Sequence, residues 1–203
     1  VNAVRALGGE VVLHGHQFDA AKAYALELTE QRNGVFVPPF DDPDVIVGQG
    51  TVARELMQQL NDLDVVFIPV GGGGLIAGVA AYITAFWPEI KIIAVEPRAS
   101  AVLSGKEPGP HKIQGIGAGF VPKILNTKII DEIIQIENEE AFHYSQLITR
   151  REGILAGISA GAAVCAAVKV AQRPENKDKL LVVIIPDTGE RYLSTDLFDE
   201  FRS

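Results

Sequence analysis

The chain has 203 residues, of which 47% are apolar and 22% charged, and it contains one cysteine. This composition predicts a soluble globular protein of one large or two small domains, because no apolar run approaches the roughly 18 residues of a membrane span. A formal net charge of −8, without any cluster of lysine or arginine, argues against nucleic acid or an anionic membrane as a partner. Cys165 excludes an internal disulfide, and its apolar helical context predicts a buried, inert thiol in a reducing, cytoplasmic setting.

Helical and β-type segments alternate along the chain. Runs typical of strands lie at 10–13, 35–37, 65–70, 91–96, 132–136 and 180–185. Helical spacing is found at 19–31, 48–56, 75–83, 138–151 and 162–170. Asn138 is expected to cap the helix that it begins. The alternation predicts an α/β fold with an open, mostly parallel, twisted sheet and helices on both faces.

Four consecutive glycines, Gly71 to Gly74, connect the apolar strand at 65–70 to a helix that opens with Leu75. Glycine weakens regular structure, but it permits positive φ angles and close approach of a ligand to the backbone. Several N–H groups can then converge at the positive end of the helix, which is the arrangement of a phosphate site. The alternative is a tight turn that is rich in glycine for structural reasons only.

Two other patterns suggest a metal site only weakly. His14 and His16 are two residues apart, but no third ligand follows nearby. The acidic stretch from Asp41 to Asp44 is better explained by turn residues and by acids near a helix N-terminus. The sequence therefore predicts no metal site.

A dinucleotide site is one reading of the glycine turn. Gly72-x-Gly74-x-x-Ala77 fits the G-x-G-x-x-G/A fingerprint, and Glu96 follows about 20 residues later at the end of the next strand. The fingerprint normally belongs to the first βαβ unit of its domain, whereas here sheet elements precede it. An NAD-binding dehydrogenase is therefore kept as an alternative.

Longer motifs show a resemblance to two related families. Residues 1 to about 93 resemble biosynthetic threonine dehydratases in Gly9–Gly15, Pro39–Pro43, Gly48–Thr51 and Val70–Leu75. From about residue 94 the chain resembles cysteine synthase (O-acetylserine sulfhydrylase) in Val95–Pro97, Gly109–Phe120, Glu152–Ser159 and Gly189–Thr195. Both families share the tryptophan-synthase β-like fold of enzymes dependent on pyridoxal 5′-phosphate, known as fold type II.

The resemblance implies a division of the chain and a cofactor site. Residues 1–50 would be the remainder of a smaller N-terminal αβ domain, and residues 51–203 the large domain that binds the cofactor phosphate. The phosphate would be held by Gly71, Gly72, Gly73, Gly74 and Leu75. Thr188 would hydrogen-bond the pyridine nitrogen of the cofactor, with Asp187 as the alternative.

The same resemblance implies a substrate pocket and a role near the cofactor for one serine. The pocket would be bordered by Gln114, Gly115, Ile116, Gly117, Ala118 and Gly119. Ser159 would cap the helix near the cofactor, and a plain N-cap without a role toward the cofactor is the alternative.

The lysine that carries the cofactor in these families has no counterpart here. It stands in a Ser-x-Lys type motif, and none of the lysines of this chain stands in such a context. We therefore assign no catalytic residue and interpret the chain as a fragment or hybrid of a β-elimination or β-replacement enzyme, inactive alone. Its substrate would be a hydroxy or O-acyl amino acid, and its partners a complementing N-terminal segment and further copies of itself. A truncated or engineered folded domain without activity is the alternative.

Overall fold

The computed structural model describes residues 1–16 and 18–201, with the side chains of residues 19, 200 and 201 left out. The chain folds into two compact units, residues 1–38 and residues 39–203. No helix within the described residues is both long and apolar enough to cross a membrane. The division expected after residue 50 stays a prediction.

The first unit consists of two helices and extended segments. Helix α1 spans Asn2–Ala6 and helix α2 spans Phe18–Gln31. A bidentate ion pair joins Arg32 to Glu10 at 2.8 and 3.0 Å. None of the unit's described residues is fully buried.

The strands expected at 10–13 and 35–37 are absent from this unit. Their β-type residues remain exposed, with 77% of Leu13, 89% of Val35 and 75% of Val37 accessible to solvent. A strand is stable only when a neighbouring strand accepts and donates its backbone hydrogen bonds. The two segments find no such neighbour within the described residues, so the prediction of strands here was wrong.

The second unit is an α/β layer structure. Its elements in order are helix α3 (Pro43–Gln59), strand β1 (Leu63–Pro69), helix α4 (Gly74–Phe86), strand β2 (Lys91–Pro97), strand β3 (Glu132–Ile136), helix α5 (Asn138–Glu152), helix α6 (Ile158–Ala171) and strand β4 (Leu180–Val183). The strand order in the sheet is β3-β2-β1-β4, and every pairing is parallel. The predicted α/β fold with a parallel sheet is confirmed.

The sheet has a hydrophobic core on each face. Val65 and Phe67 of β1 belong to the core that includes helix α6, whereas Val66 and Ile68 belong to the core that includes helices α3 and α4. Side chains alternate between the faces of a strand, so a strand covered on both faces must be apolar throughout. This explains the continuous apolar runs in the sequence.

Glycines bring the helices into close contact on each side of the sheet. A Cβ added to Gly78 of α4 would lie 2.7 Å from the backbone nitrogen of Gly50 in α3. On the other face, a Cβ on Gly161 of α6 would lie 2.5 Å from the backbone nitrogen of Ser145 in α5. Both helix pairs therefore pack at a distance that only a residue without a side chain permits.

The N-terminus of helix α5 differs from the prediction in one residue. The N-cap is Glu137, and its backbone N–H is accepted by the side chain of Glu140 at 3.1 Å. Asn138 instead accepts the backbone N–H of Lys112 at 2.9 Å through Oδ1. The expectation that Asn138 caps this helix was wrong, because its side chain is engaged by the irregular segment that follows β2.

A candidate cofactor site at the ends of strands β1 and β4

The candidate site lies at the carboxyl ends of two neighbouring strands. The chain leaves β1 through Val70 into the glycine turn and leaves β4 toward Pro186 and Asp187. The strand that follows β1 in sequence lies on the opposite side of it from β4. The connections therefore diverge between β1 and β4, and such a switch point of an open parallel sheet is where a ligand crevice forms.

The glycine turn leaves no space for side chains. Gly73 has a φ of +85°, and a Cβ on it would lie 2.8 Å from Cβ of Pro122. A Cβ on Gly72 would overlap the Phe40 ring, and one on Gly71 would overlap the carbonyl oxygen of Gly115. The turn thus presents bare backbone in a close-packed setting, as a phosphate-binding loop requires.

Two helix N-termini face this region. Helix α4 begins after its N-cap Gly73, has no side-chain cap and carries no acidic residue in its first turn. Helix α6 begins after its N-cap Gly157, also without a side-chain cap or an acid. The first N–H groups of a helix have no partner inside it and carry partial positive charge. Both helices therefore favour an anion here.

A cavity of about 280 Å³ joins these features. This volume is close to the lower end of the range of about 300–1,000 Å³ typical of small-molecule sites. The lining residues are Pro39, Phe40, Gln49, Pro69, Val70, Gly71, Gly72, Gly73, Gly74, Leu75, Ile76, Gly115, Ile116, Ser159, Pro186 and Asp187. The structure thus gathers the predicted phosphate residues, one of the two candidates after β4 and two of the six predicted pocket residues.

The other predicted residues lie outside this cavity. Gly117, Ala118 and Gly119 line a much smaller recess together with Glu96, and Gln114 lines neither space. Thr188 is also absent from the cavity lining, and its side chain is exposed. Its hydrogen bond to Glu190 lowers the pKa of that exposed carboxyl.

Glu96 is occupied by the segment that follows it. Its carboxylate accepts the backbone N–H of Leu103 at 2.9 Å and that of Ser104 at 3.1 Å, and the Ser104 hydroxyl also donates to it at 2.5 Å. The residue is only 2% exposed. A carboxylate saturated by its own loop is a structural anchor, so the geometry does not offer Glu96 to a ribose.

The loop from residue 109 to 119 is fixed against the cavity. The Gly117 N–H donates to the carbonyl of Val70 at 3.0 Å, which ties the loop to the end of β1. His111 Nε2 lies 3.1 Å from the carbonyl oxygen of Gly117. Gly115 reaches the cavity wall with a φ of +89°, a conformation that glycine adopts without strain.

Buried Ser159 and half-buried Asp187 provide the polar chemistry beside the cavity. Ser159 is 3% exposed and lies within the first turn of α6, so Gly157 rather than Ser159 is the N-cap. Asp187 accepts the Tyr192 hydroxyl through Oδ2, whereas its Oδ1 is buried without a hydrogen-bond partner in the described structure. Burial first, and the hydrogen bond to Asp187 second, raise the pKa of Tyr192. The phenol therefore stays protonated and remains a donor.

Sequence reasoning did not single out Phe40 and Gln49 as cavity residues. Both stand in motifs that carry the resemblance, in Pro39–Pro43 and Gly48–Thr51, and that was the available signal. Asp42 also acquires a structural role, since its Oδ1 accepts the N–H of Asp44 at 2.8 Å as the N-cap of α3.

Metal ligands and lysines were sought among the residues that the structure describes. Among the described residues there is no cluster of three or more His, Cys, Asp and Glu side chains that could bind a metal ion. No lysine that the structure describes belongs to the lining of the cavity.

Fold and site together define an α/β protein with a crevice suited to an anion at a switch point of its sheet. The family model of pyridoxal-phosphate dependent enzymes matches residues 1–187. The chain therefore belongs to this family.

Its relatives include cysteine synthases and a threonine deaminase. Cysteine synthase of Staphylococcus aureus (strain N315) is 44% identical over an alignment that covers 97% of this chain and 65% of that enzyme. O-Acetyl serine sulfhydrylase isoform 3 of Entamoeba histolytica superposes with a TM-score of 0.89 at 39% identity, over 96% of this chain and 59% of that one. Threonine deaminase isoform 2 of Solanum lycopersicum superposes with a TM-score of 0.82 at 36% identity, over 91% of this chain and 57% of that one. The chain thus has the fold type II architecture and spans about 65% of the length of the curated cysteine synthases that it matches.

The residues present fit the cofactor of this family. The glycine turn and two uncapped helix N-termini suit its phosphate. The unpartnered oxygen of Asp187, in the wall of the same cavity, suits a hydrogen-bond donor on its ring.

Proposed function

We propose that this chain is the cofactor-binding part of a pyridoxal-phosphate enzyme of the β-elimination and β-replacement class. The observation that carries the proposal is the cavity in which the four-glycine turn, the N-termini of α4 and α6, and Asp187 meet. The cofactor, when bound, supplies an electron sink for removal of the α-proton of an amino acid. The chain itself supplies the phosphate cradle, the walls that exclude water and the partner of the ring.

Hydroxy or O-acyl amino acids are the proposed substrates. The support is the names of the relatives, which include cysteine synthase and threonine deaminase, both similar to this chain over most of its length. The segment from Gln114 to Gly119 would border the substrate, because its Gly115 and Ile116 already reach the cavity wall. Within the class, replacement by sulfide and dehydration are both proposed as reactions of the enzyme.

Turnover requires a lysine from outside this chain, in our proposal. The cavity lining within the described residues holds none, and the relatives are longer than the chain by about a third of their own length. We infer that the chain is the larger part of such an enzyme, either a natural homologue or a hybrid joined near residue 94. A complementing segment, self-association and a cytoplasmic setting are part of the same proposal. The buried free thiol of Cys165 agrees with a reducing compartment.

Two alternatives make different predictions about ligands. A folded domain without function would bind neither nucleotide nor cofactor with preference. An NAD-binding protein would need Glu96 for the ribose, yet that carboxylate is saturated by Leu103 and Ser104.

Equilibrium dialysis with pyridoxal 5′-phosphate, pyridoxal, NAD and inorganic phosphate separates the three readings. We expect saturable binding of pyridoxal 5′-phosphate, competition by inorganic phosphate, and much weaker binding of pyridoxal, because the cradle acts on the phosphate. Tight binding of NAD, or no binding of any of the four compounds, would reject the proposal.

A further inference from the structure

Helix α2 ends in a hydrogen-bonded cap built around Asn33. The N–H of Asn33 donates to the carbonyl of Glu30 at 3.2 Å, and the N–H of Gly34 donates to the carbonyl of Thr29 at 2.9 Å. These two bonds form a Schellman motif, in which the residue after the helix adopts the left-handed conformation. Asn33 accordingly has a φ of +50°. Glycine usually occupies this position, and asparagine is one of the few residues with a side chain that are often found there.

Asn33 is also followed by glycine and faces solvent. Among the asparagines of the chain, only Asn33 precedes a glycine. Both residues are exposed, and a Cβ on Gly34 would meet only the carbonyl oxygen of Thr29, at 3.8 Å. Because glycine has no side chain, its backbone nitrogen can approach the amide carbon Cγ of Asn33 without steric hindrance. An electrophilic carbon and an accessible nucleophilic nitrogen therefore stand next to each other in the chain.

The cap controls whether the two atoms can meet. While the N–H of Gly34 donates to Thr29, its nitrogen is held in the cap and cannot bond to Cγ of Asn33. The last turn of α2 must therefore open first. The cost of opening is low, because none of the described residues of the first unit is fully buried and no basic side chain stabilises the last turn of this helix.

We propose that Asn33 is a site of spontaneous deamidation and that the cap of helix α2 sets its rate. In the open state the Gly34 nitrogen bonds to Cγ of Asn33 and gives up its proton, and the side-chain nitrogen takes up a proton and leaves as ammonia. Water then adds to one carbonyl of the resulting cyclic imide, the bond from that carbon to the Gly34 nitrogen breaks, and the nitrogen regains its proton. Opening at Cγ gives aspartate, and opening at the main-chain carbonyl gives isoaspartate.

Either product weakens the cap from which it forms. The new carboxylate stands at the C-terminal, negative end of the helix dipole, where an anion is unfavourable. The neighbouring cation, Arg32, is already engaged by Glu10 in a bidentate ion pair at 2.8 and 3.0 Å. Isoaspartate also inserts a backbone carbon before residue 34, which displaces its N–H from the carbonyl of Thr29. The modified chain should therefore have a less protected helix α2. This effect concerns the first unit and does not depend on the cofactor.

The test incubates the full chain at mildly alkaline pH and follows each asparagine by peptide mass analysis. We expect residue 33 to convert to aspartate and isoaspartate at least about tenfold faster than any other asparagine. Gly34→Ala should slow the conversion by about tenfold or more, because the added methyl group hinders the nitrogen. This variant keeps the cap, since Gly34 itself does not have a positive φ. In urea, which removes the cap, residue 33 of the unmodified chain should convert faster.

A pair of variants at Gln31 tests the control by the cap. Gln31 is exposed in the last turn of α2, and its side chain donates to Glu27 at 2.9 Å. Gln31→Gly and Gln31→Ala both lose this bond and differ in helix propensity. Conversion at residue 33 should be about fivefold faster in Gln31→Gly, because glycine favours the open turn. Equal rates in the two variants, a rate that urea leaves unchanged, or conversion at residue 33 no faster than at other asparagines would overturn the inference.

Discussion

Gly72 faces the ring of Phe40, and the absence of a side chain lets the two meet. Alanine at position 72 would place a methyl group 2.5 Å from Cε1 of Phe40 and even closer to the nearer ring atoms. Either the ring or the turn must then move, and both line the cavity. We expect Gly72→Ala to weaken binding of pyridoxal 5′-phosphate by about tenfold, which corresponds to about 1.4 kcal/mol, as measured by equilibrium dialysis.

Gly34→Ala is the matched control for this substitution. A methyl group at Gly34 would meet only the carbonyl oxygen of Thr29, at 3.8 Å, an ordinary van der Waals distance. Binding should stay within about twofold of the unmodified chain. Equal affinity of the Gly72→Ala variant would show that this turn does not hold the phosphate.

The buried thiol of Cys165 should make the free energy of unfolding depend on pH. The thiol is completely buried, and burial raises its pKa to about 11. An unfolded thiol has a pKa of about 8.5, so rising pH removes a proton from the unfolded chain first. The resulting contribution to the free energy of unfolding is fully present below about pH 8.5 and is lost as the pH rises toward about 11. Urea denaturation at pH 8 and at pH 10 should reveal this loss.

The Cys165→Ala variant isolates the thiol from other groups that titrate in the same range. It should lose less stability than the unmodified chain between the two pH values. A thiol reagent should also leave the folded chain unmodified at pH 8 and label it in denaturant. Rapid labelling of the folded state would contradict the assigned burial.

Some features of individual residues follow from the local sequence, and others do not. The buried thiol and the bare glycine turn followed from local composition, and the structure confirms the burial of Cys165. Which of Asp187 and Thr188 lines the cavity did not follow from the sequence, because neighbouring residues in a loop point in directions fixed by contacts with Leu155–Gly157. Phe40 reaches the glycine turn from a distant part of the sequence, and no local pattern encodes such a contact.

Helices α5 and α6 pack closely against each other at Gly161. Gly161 lets α6 approach α5, and an added methyl group would lie 2.8 Å from Cβ of Ser145 and would overlap the carbonyl of Ala141. Overpacking of this kind is expected to lower the free energy of unfolding by about 1–3 kcal/mol. Urea denaturation of Gly161→Ala measures the effect.

Gly48 is the matched control, since it is an exposed glycine of helix α3 with nothing within 4 Å of an added Cβ. There the higher helix propensity of alanine should raise the free energy of unfolding by about 0.5–1 kcal/mol. We therefore expect Gly161→Ala to lower the free energy of unfolding and Gly48→Ala to raise it. A stabilising effect at Gly161 would contradict the close helix contact.

Strands were predicted correctly where the β-type segment pairs with a neighbouring strand of the sheet. The four strands of the sheet lie in the expected runs, because each contributes apolar residues to both cores and pairs with another strand. The runs at 10–13 and 35–37 have the same local character but no pairing segment within the described residues. β-Propensity therefore identified candidates, and long-range pairing decided which of them became strands.

The two compact units should differ in the free energy needed to open them locally. Residues 1–38 contain no fully buried residue among those described, whereas helices α4 and α6 of the second unit are largely buried. Segments with little buried apolar surface open at low free energy. We expect backbone amides of α2 to exchange with deuterated solvent at least about tenfold faster than those of α6. Equal protection of the two helices would contradict this difference.

The cavity that we assign to the cofactor is lined by no lysine among the described residues. The chain alone should bind pyridoxal 5′-phosphate without forming a link that borohydride reduction makes permanent on one residue, because no described lysine lines the cavity. Adding, as a separate chain, the part of the Staphylococcus aureus cysteine synthase that this chain does not cover should introduce such a link, on a lysine of the added segment. Peptide mass analysis after reduction locates the modified residue, and the added segment with its lysines replaced by alanine is the control. Specific modification of a single lysine in the 203-residue chain alone would show that the chain supplies its own catalytic residue.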